Sequence, residues 1–256
     1  MKVNYHSHTA RCHHATGTER EYIEAAIASG LEVLGFSDHT PYPFKDGYVS
    51  RMRMGMDELE DYVNTVLRLR DEYRNDIEIH LGLEVEYYPA VFSDLIKAAA
   101  DYPIEYFLLA QHYLGNEHND IYSGAVTEDP STLIRYCKHL KEAMDTGCFT
   151  YLAHPDLIRF IGDPAIYDTH MRRLCREANA HRLPLEINFL GLHENRHYPN
   201  EAFWKIAGEE GCDAIFGIDA HRVSAFNDPE ALRKAHALVD KYGLHLLENV
   251  PLRKPF

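Results

Sequence analysis

The sequence predicts an α/β fold, a parallel barrel related to the TIM architecture, and two observations support this prediction. Short apolar or β-branched runs alternate with helical stretches along the chain, and their lengths suit buried parallel strands. The seven runs span residues 2–5, 31–37, 77–84, 106–112, 149–154, 183–189 and 214–219. Seven strand-then-helix units in 256 residues favour a barrel over its competitor, an open doubly wound sheet. Residues 244–256 either add a strand or cover the barrel floor.

The helices between these runs are marked by residues typical of helix ends. Thr18 and Glu21 form a capping box, and Gly30 is placed to end that helix. A single apolar stripe predicts a helix over residues 56–73. Asp129-Pro130 and Asp228-Pro229 predict the start of two further helices. Gly147, Gly211 and Gly243 predict the ends of three helices.

Composition limits the class of protein. An apolar content of 45% with 26% charged residues excludes wholesale disorder. No linker or repeat interrupts the chain, so we expect one domain over residues 1–256. No apolar run approaches the roughly 20 residues of a membrane helix, and the start carries no signal-peptide core.

Charge and cysteine content exclude further classes. The formal charge of −14, from 40 acidic against 26 basic residues, argues against a nucleic acid partner because no basic stripe is present. The five cysteines are scattered and form no C-x-x-C pair, which argues against a disulfide framework or a thiolate zinc site. The cytoplasm is therefore the expected compartment. The 17 histidines are the unusual feature that remains.

Histidines and carboxylates end six of the seven predicted strands. In a parallel barrel these ends open onto one face, where such barrels place their chemistry. The residues at or just after the strand ends are His6, His8, His14, His39, Glu84, His112, His154, Asp219 and His221. Side chains two residues apart on a strand point the same way, so His6 and His8 can hold one ion together, and Asp219 and His221 repeat this spacing.

This donor set predicts a catalytic metal centre. Imidazole and carboxylate ligands without thiolate suit zinc, iron or manganese. Nine ligands are too many for one ion of four to six coordination, so two or three ions are expected. Neighbouring ions need a bridging carboxylate, and Glu84 is the natural candidate.

These residues make the sequence similar to the polymerase-and-histidinol-phosphatase (PHP) family, in particular its stand-alone histidinol-phosphate phosphatases. The resemblance covers essentially the full chain. It rests on His6-Ser7-His8-Thr9, His14, Ser37-Asp38-His39-Thr40, Gly82-Leu83-Glu84, His112, His154-Pro155-Asp156 and Asp219-Ala220-His221. The resemblance implies a distorted TIM-like (β/α)7 barrel with three divalent metal ions, Zn, Mn or Fe, at the C-terminal ends of the strands.

The resemblance also implies a ligand set for each ion. One ion would be held by His6, His8, Glu84 and Asp219, and a second by Glu84, His112 and His154. The third would be held by His14, His39 and His221, where the family spacing favours His14 over His13.

The implied activity is hydrolysis of L-histidinol phosphate to L-histidinol and phosphate, by attack of a metal-bridging hydroxide. Arg159 and Arg196 match positions where the phosphatases place phosphate-binding arginines. Metal ions and guanidinium groups would together neutralise the phosphoryl oxygens. Asp219 and His221 are candidates to supply the leaving-group proton. Acceptors for the substrate's ammonium and imidazole are expected among Glu186, Asn188, Glu194 and Tyr42.

Three alternatives stay open at this stage. A PHP phosphoesterase for nucleotides or other small phosphate esters would use the same metals and differ in its pocket loops. A metal-dependent amidohydrolase also begins with a strand-end His-x-His, but the chain has no plausible bridging lysine at the end of a middle strand. An inactive metal-binding module is less consistent with a complete ligand set.

Overall fold

The computed structural model describes residues 1–45, 47–118 and 120–256, and within them eight parallel strands form one sheet in sequence order. The strands are β1 (Val3–Asn4), β2 (Val33–Phe36), β3 (Glu78–Glu86), β4 (Tyr106–Ala110), β5 (Phe149–Leu152), β6 (Leu185–Asn188), β7 (Asp213–Gly217) and β8 (His245–Leu246). The predicted TIM-like α/β fold is confirmed. Strands form at all seven predicted positions, and each pairs with the strand that comes next in the sequence. In an open doubly wound sheet the order of the strands differs from their order in the sequence.

The barrel closes between β1 and β7 at the C-terminal end of the strands. Ser7 and Ala220 form a parallel bridge there, and the backbone amide of His8 donates to the carbonyl of Ala220 at 2.9 Å. One step lower, the Oδ1 atom of Asn4 accepts from the amide of Ile218 at 2.8 Å. These bonds place the residues that follow the first and the last predicted strand side by side.

The opposite end of the barrel is covered by the C-terminal segment. Strand β8 pairs with β7 in the register Asp213 with His245, so residues 244–256 do add a strand. Val250, with Leu247 and Leu252, then packs against the side chains that fill the barrel interior. These interior residues are Val3, Tyr5, Val33, Tyr106, Leu108, Ala110, Tyr151, Ala153 and Ile215. The segment therefore both extends the sheet and covers the barrel floor.

Helices surround the sheet and follow the predicted end signals closely. They are α1 (Glu19–Ala28), α2 (Leu59–Glu72), α3 (Phe92–Ala99), α4 (Pro130–Asp145), α5 (Pro164–Ala180), α6 (Phe189–His193), α7 (Glu201–Glu209) and α8 (Pro229–Tyr242). Thr18 and Glu21 form the capping box, and Asp129 and Asp228 cap helices that begin with proline. Gly243 ends α8 with φ of 60°. In the described residues, no helix is long and apolar enough to cross a membrane.

Two glycines let a large side chain pass through the barrel interior. A Cβ atom at Gly35 would lie 2.2 Å from the hydroxyl of Tyr106, and one at Gly82 would lie 2.3 Å from its ring. The Tyr106 hydroxyl donates to the carbonyl of Tyr5 at 2.7 Å. Tyr106 therefore contacts β2 and β3 and bonds to the residue that directly follows β1.

Candidate metal centre and active site

The strand ends and the loops that follow them bring all nine candidate ligands to one end of the barrel. Two of these residues, His154 and Asp219, adopt positive φ angles of 29° and 53°. Such angles are uncommon for residues other than glycine and occur often at functional sites. At these positions the chain turns sharply out of β5 and β7, which leaves both side chains buried at the barrel mouth.

Glu84 lies at the centre of this group. Its carboxylate is 1% exposed and is surrounded by five histidines. The nearest ring nitrogens are Nδ1 of His39 at 2.7 Å, Nε2 of His154 at 2.8 Å, Nε2 of His6 at 3.3 Å, Nε2 of His8 at 3.7 Å and Nε2 of His112 at 3.8 Å. A carboxylate with imidazoles near both oxygens has the arrangement that a bridging ligand requires.

Asp219 forms a second point of convergence. Its Oδ1 atom lies 3.0 Å from Nε2 of His8, 3.4 Å from Nε2 of His6 and 3.3 Å from Nδ1 of His221. Several of the converging atoms are buried and make no hydrogen bond within the described part of the chain. They are Nε2 of His6, Nε2 of His8, Oε2 of Glu84, Oδ1 of Asp219 and Nε2 of His221. Buried polar atoms without partners are costly, and bound cations would satisfy them, so the residues fit a metal cofactor.

The donor atoms fall into overlapping groups of three, each small enough to hold one ion. Three of the groups are His6–His8–Asp219, His6–Glu84–His154 and His14–His39–His221. They resemble the predicted ligand sets, with His112 slightly farther out and His14, rather than His13, in the third group. A further group joins Cys12 to His8 and His221, although burial raises the pKa of that thiol.

Outer carboxylates orient several of the histidines. Nδ1 of His6 lies 2.7 Å from Oε1 of Glu186, and Nδ1 of His112 lies 3.1 Å from Oε1 of Glu86. In both rings Nε2 then faces the centre, as expected for ligands held by a hydrogen bond on the other nitrogen. Gly217 makes room for this support, since a Cβ atom there would lie 1.8 Å from Oε1 of Glu186.

The electrostatics of the centre favour the charged form of some candidate ligands, whereas burial lowers the pKa of His39 and His221 and favours their neutral form. Burial alone lowers the pKa of His8, but the nearby carboxylates of Asp219, Asp38 and Glu84 outweigh it and raise the pKa to about 9. For His6 burial is likewise outweighed, by Glu186 and Asp219, and the pKa lies well above its ordinary value. The pKa of Glu84 is well below its usual range, because the surrounding histidines outweigh the effect of burial.

We therefore expect metal binding to release protons. The raised pKa values mean that His6 and His8 are protonated at neutral pH in the metal-free protein, whereas a metal ion needs neutral imidazole. Below about pH 9, each displaced proton makes the apparent metal affinity rise about tenfold per pH unit. Titration of Zn²⁺ into weakly buffered protein with a pH indicator should release at least about two protons per chain near pH 7, since the pKa of His154 is raised as well. No proton release would contradict the assignment of these two histidines.

A cavity of about 680 Å³ opens above the centre. Five candidate ligands line it, namely His14, His39, His112, Asp219 and His221. Its outer wall includes three arginines and two tyrosines, namely Arg51, Arg196, Arg222, Tyr122 and Tyr198. The metal centre thus forms the floor of a pocket whose wall carries guanidinium groups, a combination suited to a phosphate ester.

One carboxylate in the cavity wall is shared by two of these arginines. Glu194 accepts from Nε of Arg196 at 2.8 Å and from the guanidinium of Arg222. Arg196 also donates to the hydroxyl of Tyr198 at 2.9 Å. Arg196 therefore lines the cavity, and its hydrogen bonds to Glu194 and Tyr198 fix its guanidinium at the outer edge of the cavity.

The other residues predicted to bind substrate lie elsewhere. Arg159 is exposed and is not among the described residues that line the cavity, so its contact with phosphate stays a prediction. Glu186 and Asn188 are fully buried beneath the centre: Nδ2 of Asn188 donates to Oε2 of Glu186 at 2.9 Å and to Oδ2 of Asp219 at 3.1 Å. Their position on β6 makes them supports of candidate ligands, not part of the cavity wall.

Tyr42 also lies outside the lining of the cavity, since its hydroxyl donates to the carbonyl of Glu86. The sequence reasoning missed Arg222, Tyr122 and Tyr198. Arg222 directly follows His221 and could have been found from that neighbour. The two tyrosines reach the site from long loops and carry no comparable sequence signal.

Comparison with known proteins gives a consistent result. The chain is 30% identical over 226 residues to a protein of Deinococcus radiodurans named "Probable histidinol-phosphatase", with 85% of each chain covered. It is 26% identical over 262 residues to the histidinol-phosphatase of Lactococcus lactis, covering 96% of this chain and 93% of the other.

A solved structure shows the same fold. It is the histidinol phosphate phosphatase of Lactococcus lactis in complex with zinc, L-histidinol and phosphate, with a TM-score of 0.74 and 20% identity. The match covers 96% of this chain and 95% of that one. The PHP domain, as a sequence family, matches residues 4–189. On the extent of that match and on the identity to the Deinococcus protein, the chain belongs to the PHP family.

Proposed function

We propose that the chain is a metal-dependent phosphomonoesterase that hydrolyses L-histidinol phosphate to L-histidinol and phosphate. One observation carries the proposal: buried ligand atoms without partners converge on the floor of a cavity whose wall includes arginines. The relatives named histidinol-phosphatase and the Lactococcus structure with zinc, L-histidinol and phosphate support the same substrate. Histidine biosynthesis is the corresponding pathway.

The proposed cofactor is a set of three divalent ions, Zn, Mn or Fe. Glu84 would bridge two of them, since imidazoles lie near both of its oxygens. Ions held by these residues would supply a hydroxide near neutral pH and Lewis-acid contacts to phosphoryl oxygens. Glu186 and Glu86 hold the rings of His6 and His112 in the orientation that this binding needs.

The chain's own side chains have distinct tasks in this proposal. Arg196 would donate to phosphoryl oxygens, and Tyr198 and Glu194 fix its guanidinium beside the cavity. Asp219 and His221 line the cavity and are the candidates to hold the proton for the leaving alcohol. Glu194 is the acceptor in the wall for an ammonium or imidazolium group.

We also propose that the enzyme is cytoplasmic and consists of a single domain. The five cysteines are free thiols in the structure, which agrees with a reducing cytoplasm. We treat residues 1–256 as one domain, because β1 and β7 close one barrel and the last residues cover its floor.

The test is a comparison of substrates on one purified sample with its metal content measured. We expect kcat/KM for histidinol phosphate to exceed that for nucleotides, sugar phosphates and p-nitrophenyl phosphate by at least about tenfold, the effect of roughly 1.4 kcal/mol of extra transition-state binding. Equal values across the panel would favour a general small-ester phosphatase. Hydrolysis of amide substrates without phosphatase activity would favour the amidohydrolase alternative.

A further inference from the structure

Arg53 is a fully buried arginine whose donors are used on three sides. Its side chain is 1% exposed. Nη1 donates to the carbonyl of Thr40 at 3.0 Å, Nη2 to Oε2 of Glu86 at 2.5 Å and Nε to Oε2 of Glu117 at 2.6 Å. The guanidinium also lies over the ring of Tyr42, 5.1 Å from its centroid. Burial of an ion is costly unless it is paired in this way.

Two of the partners of Arg53 are close to candidate metal ligands, and the third, Glu117, lies in the loop that follows His112. Thr40 directly follows His39, and Glu86 is two residues beyond Glu84 on strand β3. Glu86 also accepts from the backbone amide of His112 at 2.9 Å and faces Nδ1 of that ring at 3.1 Å. One guanidinium therefore connects three segments that supply ligands: the loop after β2, the end of β3 and the loop after β4.

We infer that Arg53 is a positioning residue of the metal centre. By holding Thr40, Glu86 and Glu117 at fixed distances, it sets the relative places of His39, Glu84 and His112. Within the described residues the ion-pair cluster contains one guanidinium and two carboxylates, and one of these carboxylates, Glu86, lies beside the His112 ring, where it favours a bound cation. The inference rests on the proposed ligand set but not on the identity of the substrate.

A purely structural ion pair is the alternative, and a more exposed arginine network in the chain offers a control for it. Arg172 on α5 also pairs with several carboxylates, with Asp168 at 2.9 Å, Glu209 at 2.7 Å and Glu210 at 2.8 Å. This network lies between α5 and the end of α7, and Arg172 is not among the residues that line the cavity. Replacing Arg172 therefore measures the stability that an arginine network contributes when the network does not contact candidate ligands.

The experiment measures the dissociation constant of Zn²⁺ by competition with a chromophoric chelator, in parallel with thermal unfolding of the metal-free proteins. The variants are Arg53→Met, Arg53→Lys and Arg172→Met. We expect Arg53→Met to weaken zinc binding about 10- to 100-fold, the usual effect of losing an outer support of a ligand. Arg53→Lys should recover part of the loss, because one ammonium keeps the charge but lacks the planar fork.

The control separates positioning from stability. Arg172→Met should leave zinc affinity within about twofold of the parent, even if it lowers the unfolding temperature. Parental zinc affinity in folded Arg53→Met, or in folded Arg53→Lys if the methionine variant does not fold, would overturn the inference. So would an equal loss of affinity in Arg172→Met. Because zinc affinity needs no substrate, a failure of the histidinol phosphate assignment would leave this test unaffected.

Discussion

Replacing Glu84 with glutamine should remove two of the three proposed ions and abolish turnover. The substitution keeps the size of the side chain and removes its charge, in a position where five imidazoles surround the two oxygens. An amide has one acceptor oxygen, so it cannot bridge two ions. The nitrogen of the amide would also face the ring of His39 or His154, at the distances of 2.7 and 2.8 Å that the carboxylate now occupies.

The expected effect exceeds that of any outer support. Loss of an outer partner costs about 10- to 100-fold in affinity or activity, and Glu84 would lie in direct contact with two ions. We therefore expect kcat/KM to fall by more than about 10³-fold and metal content after dialysis to drop for two of the proposed ions. The measurements are elemental analysis and phosphate release on the same preparation.

Glu105→Gln is the matched control. Glu105 also combines a carboxylate with an imidazole, since it lies 3.0 Å from Nδ1 of His80, and it accepts from the amide of Leu81 at 2.8 Å. This pair lies toward the start of β3 and β4, away from the strand ends that carry the ligands. The control should keep full metal content. Full turnover in Glu84→Gln would exclude a bridging role.

The strand-end pattern predicted which side chains converge, because it depends on local periodicity. In a parallel barrel every strand ends at the same face, so the positions of His6, Glu84, His112 and Asp219 along the sequence were enough to bring them together. The closure between Ser7 and Ala220 then follows, because the first and last of these strands must meet for the barrel to close.

The roles of buried polar residues were harder to predict. Glu186 and Asn188 lie at a strand end like the candidate ligands, yet they point beneath His6 and Asp219. Which layer of the interior a strand residue fills depends on register and on neighbours such as Gly217, whose missing side chain leaves space for Glu186. The role of Arg53 has no local sequence signal, because its three partners, Thr40, Glu86 and Glu117, are distant from it in sequence.

Replacing Arg196 with methionine should lower turnover while leaving the metals in place. Arg196 lines the cavity, and its position beside Tyr198 and Glu194 does not depend on any candidate ligand. Removal of one donor to a developing oxyanion typically costs about 10² to 10³ in kcat. We expect a loss of that size in kcat/KM for histidinol phosphate, measured with metal content unchanged. Arg196→Lys should restore only part of it, because lysine cannot bind two oxygens in the same plane.

Arg222→Met is the informative comparison, because Arg222 shares Glu194 with Arg196 and lines the same cavity. If Arg196 binds the phosphoryl group, Arg222→Met should cost less than about tenfold, since its main effect is to free one oxygen of Glu194. The alternative is that the two arginines act together by binding Glu194. In that case Arg196→Met and Arg222→Met should lose activity equally, and Glu194→Gln should reproduce the loss. A severe defect in Arg222→Met with a mild one in Arg196→Met would transfer the phosphate-binding role to Arg222. The three variants together thus decide whether the arginine that the sequence indicated is the one that contacts substrate.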